Sequence, residues 1–255
     1  MSRFSNLEFE DGFDSFQQDQ TLLKDEAFYL KEARLGFENA KFEYALRAYA
    51  KALEFNPMSS VAWAGQVQML IELGEYKEAK LWAEKALERF PNNSEILSLK
   101  AMALGRYGDL DAALAYADAA VEERGESPII WLARADVLMA RKEKMAEYSI
   151  ERAIVMAPED WFAHWMVSKI YYFYKYFLKA FKSAKKAVEL APSVPICWLQ
   201  LGVCQLELGM ISQAHLSFQS AVELSPSNRE IENIIHKYDR KHSHFRGFLR
   251  KIFER

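Results

Sequence analysis

The chain has 255 residues, 51% of them hydrophobic and 27% charged, which supplies a sizeable core and excludes wholesale disorder. Its 33 Lys and Arg stand against 36 Asp and Glu, a formal net charge of -3, so a generally basic nucleic-acid surface is not indicated. Two cysteines, Cys197 and Cys204, exclude a disulfide framework and fit a reducing, cytoplasmic compartment, while ten glycines and seven prolines favour helices.

Residues 1–25 hold six acidic and two basic residues, with Phe4, Phe9, Phe13 and Phe16 among them. The start, MSRFSNLEFEDG, is acidic where a signal peptide needs an apolar run. No steady helical period precedes Asp25, so a flexible leader is expected. The alternative is a segment that binds a partner or caps a groove.

From residue 26 the chain repeats. Five similar phrases close on Pro57, Pro91, Pro158, Pro192 and Pro226. One alanine series is Ala45, Ala79, Ala113, Ala146, Ala180 and Ala214. A second is Ala52, Ala86, Ala120, Ala153, Ala187 and Ala221. Both step by 34, 34, 33, 34 and 34 residues. That period predicts six helix pairs over 26–59, 60–93, 94–127, 128–160, 161–194 and 195–228. Repeat one carries Tyr29, Phe42 and Tyr49. Repeat two carries Trp63, Gly74 and Tyr76, and repeat three Gly108 and Leu110, with Gly125 in place of the closing proline. Repeat four has Trp131 and Ala135, with Arg141-Lys142-Glu143 where a glycine turn belongs. Repeat five has Tyr171 and Phe177, with Ser168 at a small-residue place. Repeat six has Trp198, Leu201, Gly202, Gly209, Ile211 and Phe218. Small residues let paired helices approach, aromatics fill the holes between them, and stacking buries faces that no single pair could bury.

These residues resemble the tetratricopeptide-repeat family over about 26–228. The resemblance implies an all-α right-handed superhelix whose first helices line a concave groove. It assigns Leu30, Arg34 and Phe37 to the groove in repeat one, and Ala64, Gln68 and Ile71 in repeat two. Repeat three gives Ser98, Met102 and Gly105, and repeat four Leu132, Asp136 and Met139. Repeat five gives Trp165, Lys169, Tyr172 and Phe173, and repeat six Leu199, Val203 and Leu206. Members that clamp a peptide carboxylate use Lys, Asn and Arg. Leu30 and Arg34 stand at matching places and the paired asparagines are absent, so a more apolar, aromatic groove is expected. The run Tyr171 to Phe177 cannot all face one side of a helix. Tyr171 and Phe177 match packing places, while Tyr172, Phe173 and Tyr174 are candidates for exposure.

Residues 229–255 hold eight basic and four acidic residues. Glu230 to Lys241 reads as a capping helix with Ile231, Ile234, Ile235 and Tyr238 on its apolar stripe. Beyond it, Phe245, Phe248, Leu249, Ile252 and Phe253 share one helical face. Arg246, Arg250, Lys251 and Arg255 surround it. This end either packs on the array or contacts a partner, an RNA or an anionic membrane surface.

Catalytic patterns are not found. Cys197 and Cys204, seven apart on one predicted helix, read as buried structural residues rather than a redox pair or metal knuckle. His236, His242 and His244 match no ligand spacing, and His164 and His215 have no evident acidic partner. Glycine-rich phosphate loops and nucleophile elbows are lacking. The expected function is a non-catalytic scaffold or assembly adaptor with a protein or peptide ligand and no cofactor or metal. A regulatory subunit of an enzyme complex is the alternative. Capture of the chain's own acidic segment, or self-association, is a further possibility.

Overall fold

The computed structural model describes residues 24–123 and 125–241, and every regular element among them is a helix. Two compact units divide the chain, the first up to residue 37 and over 41–125, the second over 38–40 and from 126 onward. The division falls beside Gly125, where the closing proline is missing. In the first unit the helices are α1 (Glu26–Glu38), α2 (Phe42–Phe55), α3 (Ser60–Glu72), α4 (Tyr76–Arg89), α5 (Ser94–Tyr107) and α6 (Leu110–Glu122). In the second they are α7 (Pro128–Ala140), α8 (Met145–Met156), α9 (Trp161–Phe173), α10 (Phe177–Leu190), α11 (Pro195–Glu207), α12 (Ile211–Leu224) and α13 (Arg229–Lys241).

Six helix reversals use one backbone device. One or two residues after each first helix the backbone turns left-handed: at Ala40, Gly74, Gly108, Lys142, Lys175 and Gly209, with φ from +56° to +106°. The next N–H then reaches back five residues to a carbonyl near the end of the first helix. These bonds are Lys41 to Gly36, Glu75 to Leu70, Asp109 to Leu104, Glu143 to Leu138, Tyr176 to Tyr171 and Met210 to Gln205, all 2.8–3.0 Å. This Schellman closure satisfies the orphan carbonyls of the helix end. Glycine adopts the geometry freely. At Ala40, Lys142 and Lys175 a Cβ is present and each costs about 1 kcal/mol, which the recurrent packing on both sides outweighs. The fourth repeat therefore keeps its turn without a glycine.

A second device joins the start of a repeat to the end of the one before. Trp63 Nε1 donates to the Pro57 carbonyl (3.0 Å) and Trp198 Nε1 to the Pro192 carbonyl (2.7 Å). In repeat five His164 occupies this place, its Nε2 2.9 Å from the Pro158 carbonyl. Proline ends the preceding helix, and a ring N–H six residues on takes up its free carbonyl. Trp131 follows Gly125 instead, and its ring meets Tyr148 edge-on and the Arg152 guanidinium at 5.4 Å.

The core follows the alanines. All twelve residues of the two series are buried. Within the units each second helix packs between its own partner and the first helix of the next repeat, as in α3–α4–α5 and α9–α10–α11. α13 closes the second unit against α11 and α12, with Ile231 and Ile235 buried. Asn228 caps it, its Oδ1 accepting from the Glu230 N–H at 3.2 Å.

Candidate functional site

The first helices of the first unit leave a mixed surface. Arg34 on α1 is exposed and Gln68 on α3 half-buried, whereas Phe37 and Met102 are buried. The Phe37 ring lies 6.1 Å from that of Phe42. These residues therefore divide between side chains that a partner could reach and side chains that support them.

In the second unit the expected residues divide the same way. Asp136, Met139 and Leu206 are buried, and Trp165 is 1% exposed. Trp165 stacks on Phe162 at 5.9 Å, one turn earlier on α9. The Lys169 ammonium sits 5.5 Å from the Trp165 ring. The physical reason for this burial is position: α9 packs against α7, α8, α10 and α11, so its middle faces helices on several sides. Truncation at Trp165 therefore bears on folding first. Phe173, at the end of α9, is 45% exposed, and its ring meets Tyr174 edge-on at 5.0 Å. Lys169, Tyr172 and Tyr174 are half-buried.

The aromatic run is fastened by carboxylates and a carbonyl. Tyr171 Oη donates to Glu147 Oε2 (2.6 Å), and Lys179 Nζ donates to Glu147 Oε1 (2.5 Å). Tyr172 Oη donates to Glu207 Oε1 (2.8 Å), and its ring meets Phe177 at 5.5 Å and Tyr238 of α13 at 6.4 Å. Tyr174 Oη donates to the Asp136 carbonyl (2.9 Å). Burial pushes the Tyr171 hydroxyl up, and the Glu147 bond adds to it. Burial and then Tyr238 and Glu207 do the same at Tyr172. For Glu147, burial pushes up, but the bonds from Lys179 and Tyr171 outweigh it and hold the carboxyl below its ordinary range. Tyr171 and Tyr172 are neutral hydrogen-bond donors that fix ring positions, not bases. Nothing in the local sequence ties Glu207 and Tyr238 to Tyr172. Lys100 is similarly hidden from sequence: it is buried on α5, donates to Tyr116 Oη at 2.9 Å and pairs with Glu84 at 3.5 Å.

Cys197 and Cys204 are both buried free thiols on α11. Cys204 Sγ lies 3.6 Å from Ser168 Oγ and 3.5 Å from Gln200 Nε2. Burial pushes both thiols up to about 12. The folded thiols hold their protons where unfolded thiols, near 8.5, begin to lose them. Their contribution to stability is thus complete below about pH 8.5 and declines as pH rises toward 12. Thermal melts between pH 8 and 9.5, below the ionisation of unfolded tyrosines, are expected to show this decline. A Cys197→Ala/Cys204→Ala variant should give a shallower slope over that window; an equal slope would refute the assignment.

Among the described residues no three His, Cys, Asp or Glu side chains converge as a metal site. No described helix is long and apolar enough to cross a membrane. Phe245, Arg246, Phe248, Arg250 and Lys251 lie outside the described residues, as do residues 1–23.

The helix pairs, their common reversal and their 34-residue period agree with a sequence profile described as Tetratricopeptide repeat, which matches residues 7–157. The chain belongs to the tetratricopeptide-repeat family. Among curated proteins this repeat chain is 22% identical over 201 residues to the BBSome complex member BBS4 of Bos taurus, covering 78% of the chain and 39% of that protein. It is 25% identical over 134 residues to anaphase-promoting complex subunit 3 of Schizosaccharomyces pombe, covering 52% of the chain and 20% of that protein. The chain thus spans well under half the length of either relative. Among solved structures, a tetratricopeptide repeat protein from Parabacteroides merdae has a TM-score of 0.52 at 18% identity, with 83% of each chain covered. The monomeric mutant of IFIT1 with Gppp-AAAA has a TM-score of 0.59 at 20% identity, covering 89% of this chain and 56% of that one. These two likenesses establish the shared α–α solenoid fold.

Proposed function

We propose that this tetratricopeptide-repeat chain is a non-catalytic assembly scaffold that holds a partner protein on the first helices of its repeats. The observation that carries the reading is Phe173, an apolar ring 45% exposed at the end of α9 beside half-buried Lys169 and Tyr172. An aromatic anchor and a cation one turn apart make a suitable hot spot for a peptide with apolar and acidic side chains. Family membership supports it, as do two relatives whose names place them in multi-protein complexes. Within the second unit, Asp136, Met139, Trp165 and Leu206 are buried support for this candidate surface; on the first unit, Arg34 and Gln68 are candidates of their own, with Phe37 and Met102 buried.

The test is affinity capture from the native cell with the full chain and with a Lys169→Ala/Phe173→Ala variant of unchanged melting temperature. A defined protein set should bind the parent and be depleted roughly tenfold or more on the variant. Equal capture by the folded variant would remove this surface from the function. If the captured set is an enzyme, its rate with and without the chain separates a regulatory subunit from a passive scaffold.

A further inference from the structure

The fourth residue of α3, α7 and α11 is a tryptophan: Trp63, Trp131 and Trp198. In two of them the indole N–H donates to the carbonyl of the proline that closes the preceding repeat. Gly125 replaces that proline before Trp131, and the Trp131 Nε1 has no acceptor among the described residues. The Trp131 ring is half-buried and meets the Tyr148 ring edge-on, with centroids 6.2 Å apart and planes at 85°. Two perpendicular rings leave a notch between them. Tyr148 is 46% exposed, and its hydroxyl also has no partner among the described residues. α8 turns Ala146, Ser149, Ile150 and Ala153 inward. Lys144, Tyr148 and Arg152 recur at i, i+4 and i+8 on its outer side, with Val155 (73% exposed) in line and Met145 at the flank. The Arg152 guanidinium lies 5.4 Å from the Trp131 ring. Neither Arg152 nor Lys144 has a carboxylate partner among the described residues.

We propose that this notch, Trp131 and Tyr148 with Lys144, Met145, Arg152 and Val155 around it, docks a proline-rich, acidic segment of a partner protein in polyproline II conformation. The donors select the conformation. A helical ligand has its carbonyls bonded internally, and an added strand needs a sheet edge, which α8 does not offer. A polyproline II segment leaves its carbonyls free for the Trp131 N–H and the Tyr148 O–H. Each proline brings an apolar ring and no N–H that would need an acceptor. The stiffness of such a segment limits the entropy lost on docking. From Met145 to Val155 the face is about 15 Å long, the span of about five residues in that conformation. Charge complements the fit: Lys144 and Arg152 stand one turn to either side of Tyr148, and an acidic residue among the prolines would pair with either. An anionic bilayer fits less well, because Glu151 shares the exposed face and Glu159 follows it. A peptide can set its carboxylate beside the cations and away from Glu151, which a charged plane cannot. The notch lies on α7 and α8, apart from Lys169 and Phe173 on α9, so it does not rest on the scaffold reading.

The test titrates the full chain, labelled with nitrogen-15 at its six tryptophans, with the synthetic peptides PPPEPPP and AAAEAAA. The Trp131 indole signal is the one lost in Trp131→Phe. PPPEPPP should shift that signal and leave the other indoles in place, and AAAEAAA should bind roughly tenfold more weakly because it is not preorganised. By tyrosine and peptide signals, Trp131→Phe and Tyr148→Phe should each weaken PPPEPPP binding roughly fivefold, the effect of one lost hydrogen bond. Tyr148→Phe removes only an exposed hydroxyl, so it keeps the test decisive if Trp131→Phe lowers the melting temperature. An unmoved Trp131 signal at millimolar PPPEPPP would overturn the proposal, as would equal affinity for the two peptides or unchanged affinity in the folded Tyr148→Phe variant. So would a Trp131 shift produced by phosphatidylserine vesicles, or by raising the concentration of the chain alone, where PPPEPPP produces none.

Discussion

Trp165→Ala is expected to destabilise the second unit by about 3–5 kcal/mol, the range for truncating a large aromatic in a packed core. The ring is 1% exposed, stacked on Phe162 and lies under the Lys169 ammonium. Its removal withdraws the apolar area and leaves a cavity between helices that are held on several sides and cannot collapse freely. Against a typical net stability of about 5–15 kcal/mol this is a large share. Trp165→Phe keeps most of the ring volume and should lose much less. Urea unfolding followed by circular dichroism measures both variants. A loss under about 1 kcal/mol for the alanine variant would show that the site relaxes or that the ring contributes chiefly to binding. Phe173→Ala provides the contrast: with 45% exposure it should change stability far less and partner capture far more.

The period of the alanines, the small residues and the closing prolines made the helix pairs legible, because each reports a local steric demand that recurs every 34 residues. The glycine turns at Gly74, Gly108 and Gly209 were equally open to reading. The turns at Ala40, Lys142 and Lys175 keep the same left-handed geometry without a glycine, so composition alone gives no sign of them; spacing does. The division of Trp165 from Phe173 was not legible. Both stand at groove places by family likeness, but burial depends on which neighbouring helices surround each end of α9. The links from Tyr172 to Glu207 and Tyr238 join residues 35 and 66 positions apart, beyond any local pattern. His164 reads as an isolated histidine until the Pro158 carbonyl is placed beside its ring. Partner identity lies further still, since exposed side chains report the chemistry of a ligand and not its name.

Gly202→Ala should be destabilising by about 1–3 kcal/mol, although alanine is the better helix former by about 1 kcal/mol. A Cβ at Gly202 would stand 2.6 Å from Phe218 Cε1 and 2.8 Å from Cδ1. No carbon pair tolerates that distance, so the ring or the α11–α12 spacing must yield. Phe218 has no exposed surface and lies on the face of α12 shared with Ala214 and Ala221, which leaves the ring little room to turn away. The steric term therefore outweighs helix propensity, and Gly202→Val should cost more than Gly202→Ala. The decisive measurement is a double-mutant cycle with Phe218→Leu. That substitution creates a deficit of volume on its own, and the added methyl should fill part of it, so the double variant is expected to be more stable than the sum of the single losses. Strict additivity would mean that the helices move apart as rigid bodies and that ring contact does not set their spacing. Gly65 offers the same test in the first unit: a Cβ there would lie 2.3 Å from the Tyr49 ring, so Gly65→Ala should be rescued by Tyr49→Leu if close helix approach, rather than chain flexibility, is what these first-helix glycines provide.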